Sequence, residues 1–185
     1  LDGPESELQL TENAQPAIML VSYSIFKVLE EKFKIDVSKF NFFAGHSLGE
    51  YSALVCSKSL DFNDALYLLK ERGKAMQEAV PIGKGSMIAI LGSNAEDIQK
   101  LINLNNNGTC EIANDNAIGQ IIVSGNKESV SLLQETLKKN KIKCVPLKAS
   151  APFHCSLMNS AAETMKEKIS GVKFNKPIIK IVSNV

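Results

Sequence analysis

Phe40-Asn41-Phe42-Phe43-Ala44-Gly45-His46-Ser47-Leu48-Gly49-Glu50-Tyr51-Ser52-Ala53-Leu54 is the stretch that decides the fold. Its first five residues form a short apolar run that reads as a buried strand. Gly45 breaks the run, and over 48–58 the apolar residues resume helical spacing. Upstream, 12–33 reads as a long helix, with Pro16 in its first turn and Ile18, Val21, Phe26, Val28 and Leu29 supplying much of an apolar face. Helix, strand, tight turn, helix is the order of an α/β fold with crossover helices on a parallel sheet.

Downstream, 61–79 is expected to be a helix capped by Asp61, with Asp64 in its first turn. Its inward stripe reads Ala65, Leu69, Arg72, Met76, which puts an arginine on the apolar side. The texture then changes. Strand 86–91, helix 95–104, a turn at 105–108, strands 110–113 and 120–124, helix 127–140 and strand 143–147 give βαββαβ, the ferredoxin-like order. The chain returns through a helix over 156–169, with Met158, Ala161, Ala162, Met165 and Ile169 inward, to an apolar run at 178–182. The expected organisation is a discontinuous hydrolase-like core, 1–82 and 151–185, carrying an inserted subdomain at 83–150. Leu1 is not a start methionine and the last run ends inside a strand pattern, so truncation at both ends is expected.

Composition narrows the function. With 185 residues, 44% apolar and 22% charged, the chain resembles an ordinary globular domain. A net charge of +1 argues against nucleic acid or anionic lipid as partner, and no apolar run approaches the ~18 residues of a membrane span. The four cysteines are scattered, without a Cys-x-x-Cys pair, and read as thiols of a reducing compartment. Two histidines without ligand spacing give no metal site.

Gly45-His46-Ser47-Leu48-Gly49 is Gly-x-Ser-x-Gly between a strand and a helix, the context of a nucleophile elbow. Such a turn holds the serine strained and exposed, and flanking glycines let the backbone pass close. The N–H of Leu48 can then donate to an oxyanion. The plainer alternative is a helix cap, since Ser47-x-x-Glu50 also fits a capping box. A nucleophilic serine needs a base. His46 is adjacent to Ser47 and should diverge from it, which leaves His154, in the loop 151–155. Cys155, beside His154, is poorly placed as a rival nucleophile. Among the acids between Ser47 and His154, Asp61 and Asp64 read as caps, Asp97 as an exposed helix residue and Asp115 as a turn residue. A backbone carbonyl could orient the imidazole instead, giving a dyad. Arg72 is the one arginine among twenty lysines. Its planar fork suits a carboxylate, either an internal Asp or Glu or that of a substrate.

Four stretches together carry a resemblance: Ala14-Gln15-Pro16-Ala17; Gly45 to Leu54; Arg72-Gly73-Lys74 with Met76-Gln77-Glu78-Ala79-Val80-Pro81; and Pro152-Phe153-His154-Cys155. In this order they resemble the malonyl-CoA:acyl-carrier-protein transacylases, acyltransferases of fatty acid and polyketide synthesis. The resemblance implies Ser47 as the acylated nucleophile and His154 as its base. It further implies Leu48 as an oxyanion donor, Arg72 as the clamp on the malonyl carboxylate, and Met76, Phe153, Asn114 and Asn116 as pocket residues, with Phe153 leaning toward malonyl. The implied partners are malonyl-CoA and acyl carrier protein, with no metal or other cofactor. A monomer in the bacterial cytoplasm, or in an organelle's stroma or matrix, is expected. The family's N-terminal Gly-Gln-Gly segment and the later glutamine that orients its histidine have no counterparts in this sequence. A serine esterase or thioesterase on the same elbow, or a binding module, are the alternatives.

Overall fold

The computed structural model describes residues 2–104 and 107–184, so the expected turn at 105–108 lies partly outside the described residues. The chain forms two units, Leu1–Lys74 with Thr164–Val185, and Ala75–Glu163. The second reaches further along the chain on both sides than the 83–150 span expected from sequence.

In chain order the first elements are helices α1 (Glu5–Leu8) and α2 (Thr11–Glu31), strand β1 (Phe42–Ala44), and helices α3 (Gly49–Cys56) and α4 (Phe62–Ala79). Asp61 caps α4 as expected, accepting from the N–H of Asn63 at 2.8 Å. Strand β2 (Gly85–Leu91), helix α5 (Ala95–Leu104), strands β3 (Cys110–Ala117) and β4 (Gln120–Asn126), helix α6 (Lys127–Lys139) and strand β5 (Lys143–Pro146) follow. A 3-10 turn at Ser156–Met158 leads into α7 (Asn159–Ser170), and β6 (Lys180–Val182) closes the order.

In the first unit β1 pairs in parallel with β6, Ala44 opposite Val182. Met19, Val55, Leu60, Ala65, Leu68, Leu69 and Met165 form its core. Burying Leu68 and Leu69 completely contributes about 1.5–3 kcal/mol each. Three expectations fail here. Pro16 falls in the second turn of α2, because the helix begins at Thr11. The buried line of α2 is Thr11, Gln15 and Met19, while Ile18, Val21, Ile25, Val28 and Leu29 face solvent. Only one side of this helix has neighbours among the described residues, and it is not the most apolar one, although Phe26 does meet Phe43 edge-on at 5.9 Å. Strand β1 is likewise not buried: Phe42 is 58% exposed, because the described sheet has two strands and one partner edge.

The second unit holds an antiparallel sheet in the order β3-β4-β2-β5, the ferredoxin-like arrangement that βαββαβ predicts. Ile88, Ile90, Ile121 and Val123 on one sheet face pack against Ile98 and Ile102 of α5 and Val130, Leu133 and Leu137 of α6. The β3–β4 hairpin is longer than expected. Asp115 pairs with Ile121 within the ladder, and the reversal falls at Ile118-Gly119, where Gly119 takes a φ of 78°. The returning helix buries Met158, Ala161 and Met165, but Ala162 and Ile169 are exposed. The expected stripe was too wide for the contacts this helix makes.

Candidate active site

Four residues separate the end of β1 from the start of α3, and the chain turns sharply enough there to force Ser47 to a φ of 52°. A non-glycine residue in the left-handed region costs about 1–2 kcal/mol, so surrounding contacts must hold it. Gly45 makes the turn possible: a Cβ there would lie 2.0 Å from the carbonyl carbon and oxygen of Gly49 and 2.6 Å from the nitrogen of Glu50. Gly49, expected to serve the same purpose, has open space where its Cβ would be. Only the first glycine is demanded by close approach.

The capping box does not form. The cap residue of α3 is Leu48, and no side chain caps this helix. Glu50 instead accepts from the backbone N–H of Asn184 at 3.1 Å, from its side-chain amide and from the hydroxyl of Ser183. The N–H of Leu48 has no acceptor among the described residues, which leaves it available at the start of the helix.

Ser47 Oγ accepts a hydrogen bond from Arg72 Nη2 at 3.0 Å. The other terminal nitrogen, Nη1, donates to Gln15 Oε1 at 2.5 Å, and Gln15 is buried, donating in turn to Thr11 Oγ1 at 2.9 Å. Gly73 brings α4 that close to α2: a Cβ on it would stand 2.3 Å from Glu12 Cα and 2.5 Å from Glu12 nitrogen. Both partners of the guanidinium are neutral, and among the described residues no carboxylate is within ion-pair distance of it. Burial pulls the Arg72 pKa down from its ordinary value, and nearby Tyr51 partly opposes this. A half-buried guanidinium whose partners among the described residues are neutral retains its capacity to pair with an anion. Gln15 had no assigned role in the sequence reading. No local pattern marks it: it lies on the line Thr11, Gln15, Met19 of α2, which is the buried one although its first two residues are polar.

His154 lies in the second unit, in the loop after β5, also at positive φ, 60°. The loop is well anchored. Pro152 is fully buried against Gly85, whose Cβ would meet the proline ring at 2.3 Å. Glu111, on β3, accepts from the N–H of Ser156 at 2.9 Å and from its hydroxyl. Cys155 is buried, donates to Pro152 O at 3.1 Å, and has its thiol pKa raised by burial, which suits packing rather than attack. Met76 and Phe153 meet in one apolar cluster with Ala75, Val80, Met158 and Ala161. Asn114 pairs with Ile122 just past a bulge in β3, and Asn116 falls in a second irregularity, exposed. The structure thus joins Ser47 with Arg72 in the first unit and Met76 with Phe153 in the second. Among the described residues no group of His, Cys, Asp or Glu could hold a metal ion, and no helix is long and apolar enough to cross a membrane.

A model of the acyl transferase domain matches residues 1–185. The malonyl CoA-acyl carrier protein transacylase of Bacillus subtilis is 42% identical over 187 residues, which span 100% of this chain and 58% of that protein. The acyl-carrier-protein-S-malonyltransferase of Bartonella henselae superposes with a TM-score of 0.93 at 41% identity, over 100% of this chain and 59% of that one. A malonyl-transacylase solved in complex with a type II polyketide acyl-carrier protein gives a TM-score of 0.93 at 40% identity, again over 100% and 59%. The chain therefore spans less than two thirds of the length of these relatives.

Proposed function

This chain belongs to the acyl transferase domain family, and on that premise we propose that the intact protein transfers a malonyl group from malonyl-CoA to the pantetheine thiol of an acyl carrier protein. The observation that carries the proposal is the 3.0 Å hydrogen bond from Arg72 to Ser47 Oγ, made by a guanidinium whose partners are both neutral. An acyl group attached to Ser47 would carry its distal carboxylate into reach of a cation that no acid among the described residues satisfies.

In this scheme His154 takes the Ser47 proton and Ser47 Oγ attacks the thioester carbonyl. The oxyanion draws on the Leu48 N–H. Collapse expels coenzyme A as thiol, with the proton returned by His154. The pantetheine thiol then gives its proton to His154 and attacks the malonyl-serine carbonyl; collapse breaks the Ser47 Oγ–acyl bond, His154 returns the proton to Ser47 Oγ, and the malonyl thioester leaves. Arg72 exchanges its neutral partners for the malonyl carboxylate, a charge-assisted pair roughly twice as strong as a neutral hydrogen bond. Met76, Phe153, Asn114 and Asn116 are assigned to the acyl pocket on the family resemblance. No step calls for a metal or other cofactor. We place the activity in a monomer of the bacterial cytoplasm or an organelle's stroma or matrix.

The test is mass spectrometry of the intact protein after incubation with malonyl-CoA. A malonyl adduct on Ser47, discharged by holo-acyl carrier protein and slow to hydrolyse in buffer, is expected. Rapid loss to water would point to an esterase, and no adduct to a module without transfer activity.

A further inference from the structure

The parallel pairing of β1 with β6 does more than extend a sheet. Ala44 lies opposite Val182, so the chain leaves β1 into the elbow where β6 releases Ser183 and Asn184. Asn184 reaches across. Its Oδ1 accepts the N–H of Ser47 at 2.9 Å, and its Nδ2 donates to the carbonyl of Gly45 at 2.9 Å. One side-chain amide thus bonds the backbone on both sides of His46, as acceptor for one group and donor to the other.

The amide is itself fixed. Glu50, in the first turn of α3, accepts from the Asn184 backbone N–H at 3.1 Å and from the second hydrogen of Nδ2, while its other oxygen accepts from Ser183 Oγ at 3.3 Å. The donor and acceptor sides of Asn184 are both used, which an aspartate, alanine or leucine could not reproduce. The bond to the Ser47 N–H acts at the one elbow residue whose backbone is in the left-handed region.

We propose that Asn184, braced by Glu50, is the positioning residue of the nucleophile: it holds Ser47 in its strained conformation and so fixes the direction of Oγ relative to the Leu48 N–H. Asn184 acts through Ser47: its hydrogen bonds go to the backbone of Ser47 and Gly45 and to Glu50. The proposal rests on the assignment of Ser47 as the acylated residue.

The experiment compares four forms of the intact protein: unaltered, Asn184→Ala, Asn184→Asp, and Asn184→Asp with Glu50→Gln. Single-turnover formation of the Ser47 adduct at saturating malonyl-CoA is measured, together with KM and melting temperature, and rates are expressed per folded molecule. Asn184→Ala should lower the acylation rate about 10- to 100-fold, the order of loss that ~1 Å of misplacement causes, with KM within about twofold. Asn184→Asp should be no better than alanine, because it keeps the acceptor for Ser47 but sets a second carboxylate against Glu50. Adding Glu50→Gln restores a hydrogen between the two side chains and should recover at least about fivefold of that loss. A purely structural role would lower the melting temperature and leave the rate per folded molecule unchanged. An unchanged rate in Asn184→Ala, or no recovery in the double variant, overturns the proposal. Should the unaltered protein form no malonyl adduct, the transferase assignment is what fails. The positioning role of Asn184 is then judged by the same rate ratios for sulfonylation of Ser47 by phenylmethanesulfonyl fluoride.

Discussion

Replacing Gly45 by alanine should collapse the elbow, and the size of the effect follows from the backbone. The new Cβ would sit 2.0 Å from two main-chain atoms of Gly49 and 2.6 Å from the nitrogen of Glu50. Carbon contacts are comfortable at about 3.5–4.0 Å, so the methyl and the first turn of α3 must part by more than an ångström. No side chain can rotate away, since every atom in the clash is backbone. Overpacking that flexible side chains absorb costs about 1–3 kcal/mol, so this rigid case belongs at about 3 kcal/mol or above. At about 2–4 °C per kcal/mol for a chain of this size, the melting temperature of Gly45→Ala should fall by at least about 6 °C. Gly49→Ala is the matched control: its Cβ enters open space at the first position of a helix, and alanine is about 0.8–1.0 kcal/mol better than glycine in helix interiors. It should melt at or slightly above the parent temperature. Differential scanning calorimetry of both variants decides the matter. A Gly45→Ala protein that melts within about 2 °C of the parent would refute the claim that close main-chain approach dictates this glycine.

Arg72→Ala should remove selection for an anionic acyl group: the ratio of malonyl to acetyl transfer, measured as competing kcat/KM values, should fall at least ~100-fold, in line with the loss of one partner of a desolvated charge pair. Gly73→Ala should push α4 from α2, since its Cβ would strike Glu12 backbone at 2.3 Å. It should lengthen the Arg72–Gln15 contact and lower acylation of Ser47, read by the same adduct assay. The thiols give a pH dependence. Burial holds Cys56 and Cys110 up to about 11 against an ordinary value of 9.0. An acid whose folded pKa is raised keeps its full contribution to stability below the unfolded value and loses it as pH climbs through the folded one. Chemical denaturation should therefore show stability declining between about pH 9 and 11, and replacing both cysteines by alanine should flatten that decline. Alkylation of the same two thiols should be slow at neutral pH and accelerate about tenfold per pH unit up to the same limit.

The ferredoxin-like unit was legible because its two helices each bury one face and its strands are short apolar runs between turn signals. Val130, Leu133 and Leu137 mark α6 by spacing alone, and all three are buried. The first unit misled for the converse reason. In α2 the apolar residues Ile18, Val21, Ile25 and Val28 are exposed, whereas polar Thr11 and Gln15 are buried. Periodicity reports which face is apolar, and burial depends on which face has neighbours. Where those differ, a pattern argument points to the wrong side.

Two of the candidate site residues stood out because each is unusual in its setting. A single arginine on an apolar stripe and a serine between two glycines each break a local rule, and the structure sets them 3.0 Å apart. What supports them was silent, because Gln15, Glu50, Asn184 and Glu111 are ordinary polar residues at ordinary positions. Glu50 shows why. Its spacing from Ser47 fits a capping box so well that its sequence context favours the wrong partner, and only a strand arriving from residues 180–182 supplies the right one. Contacts made across more than a hundred residues leave no trace in local spacing. Candidate reacting groups can thus be picked out by composition and motif, while the residues that contact them from distant segments must be read from coordinates.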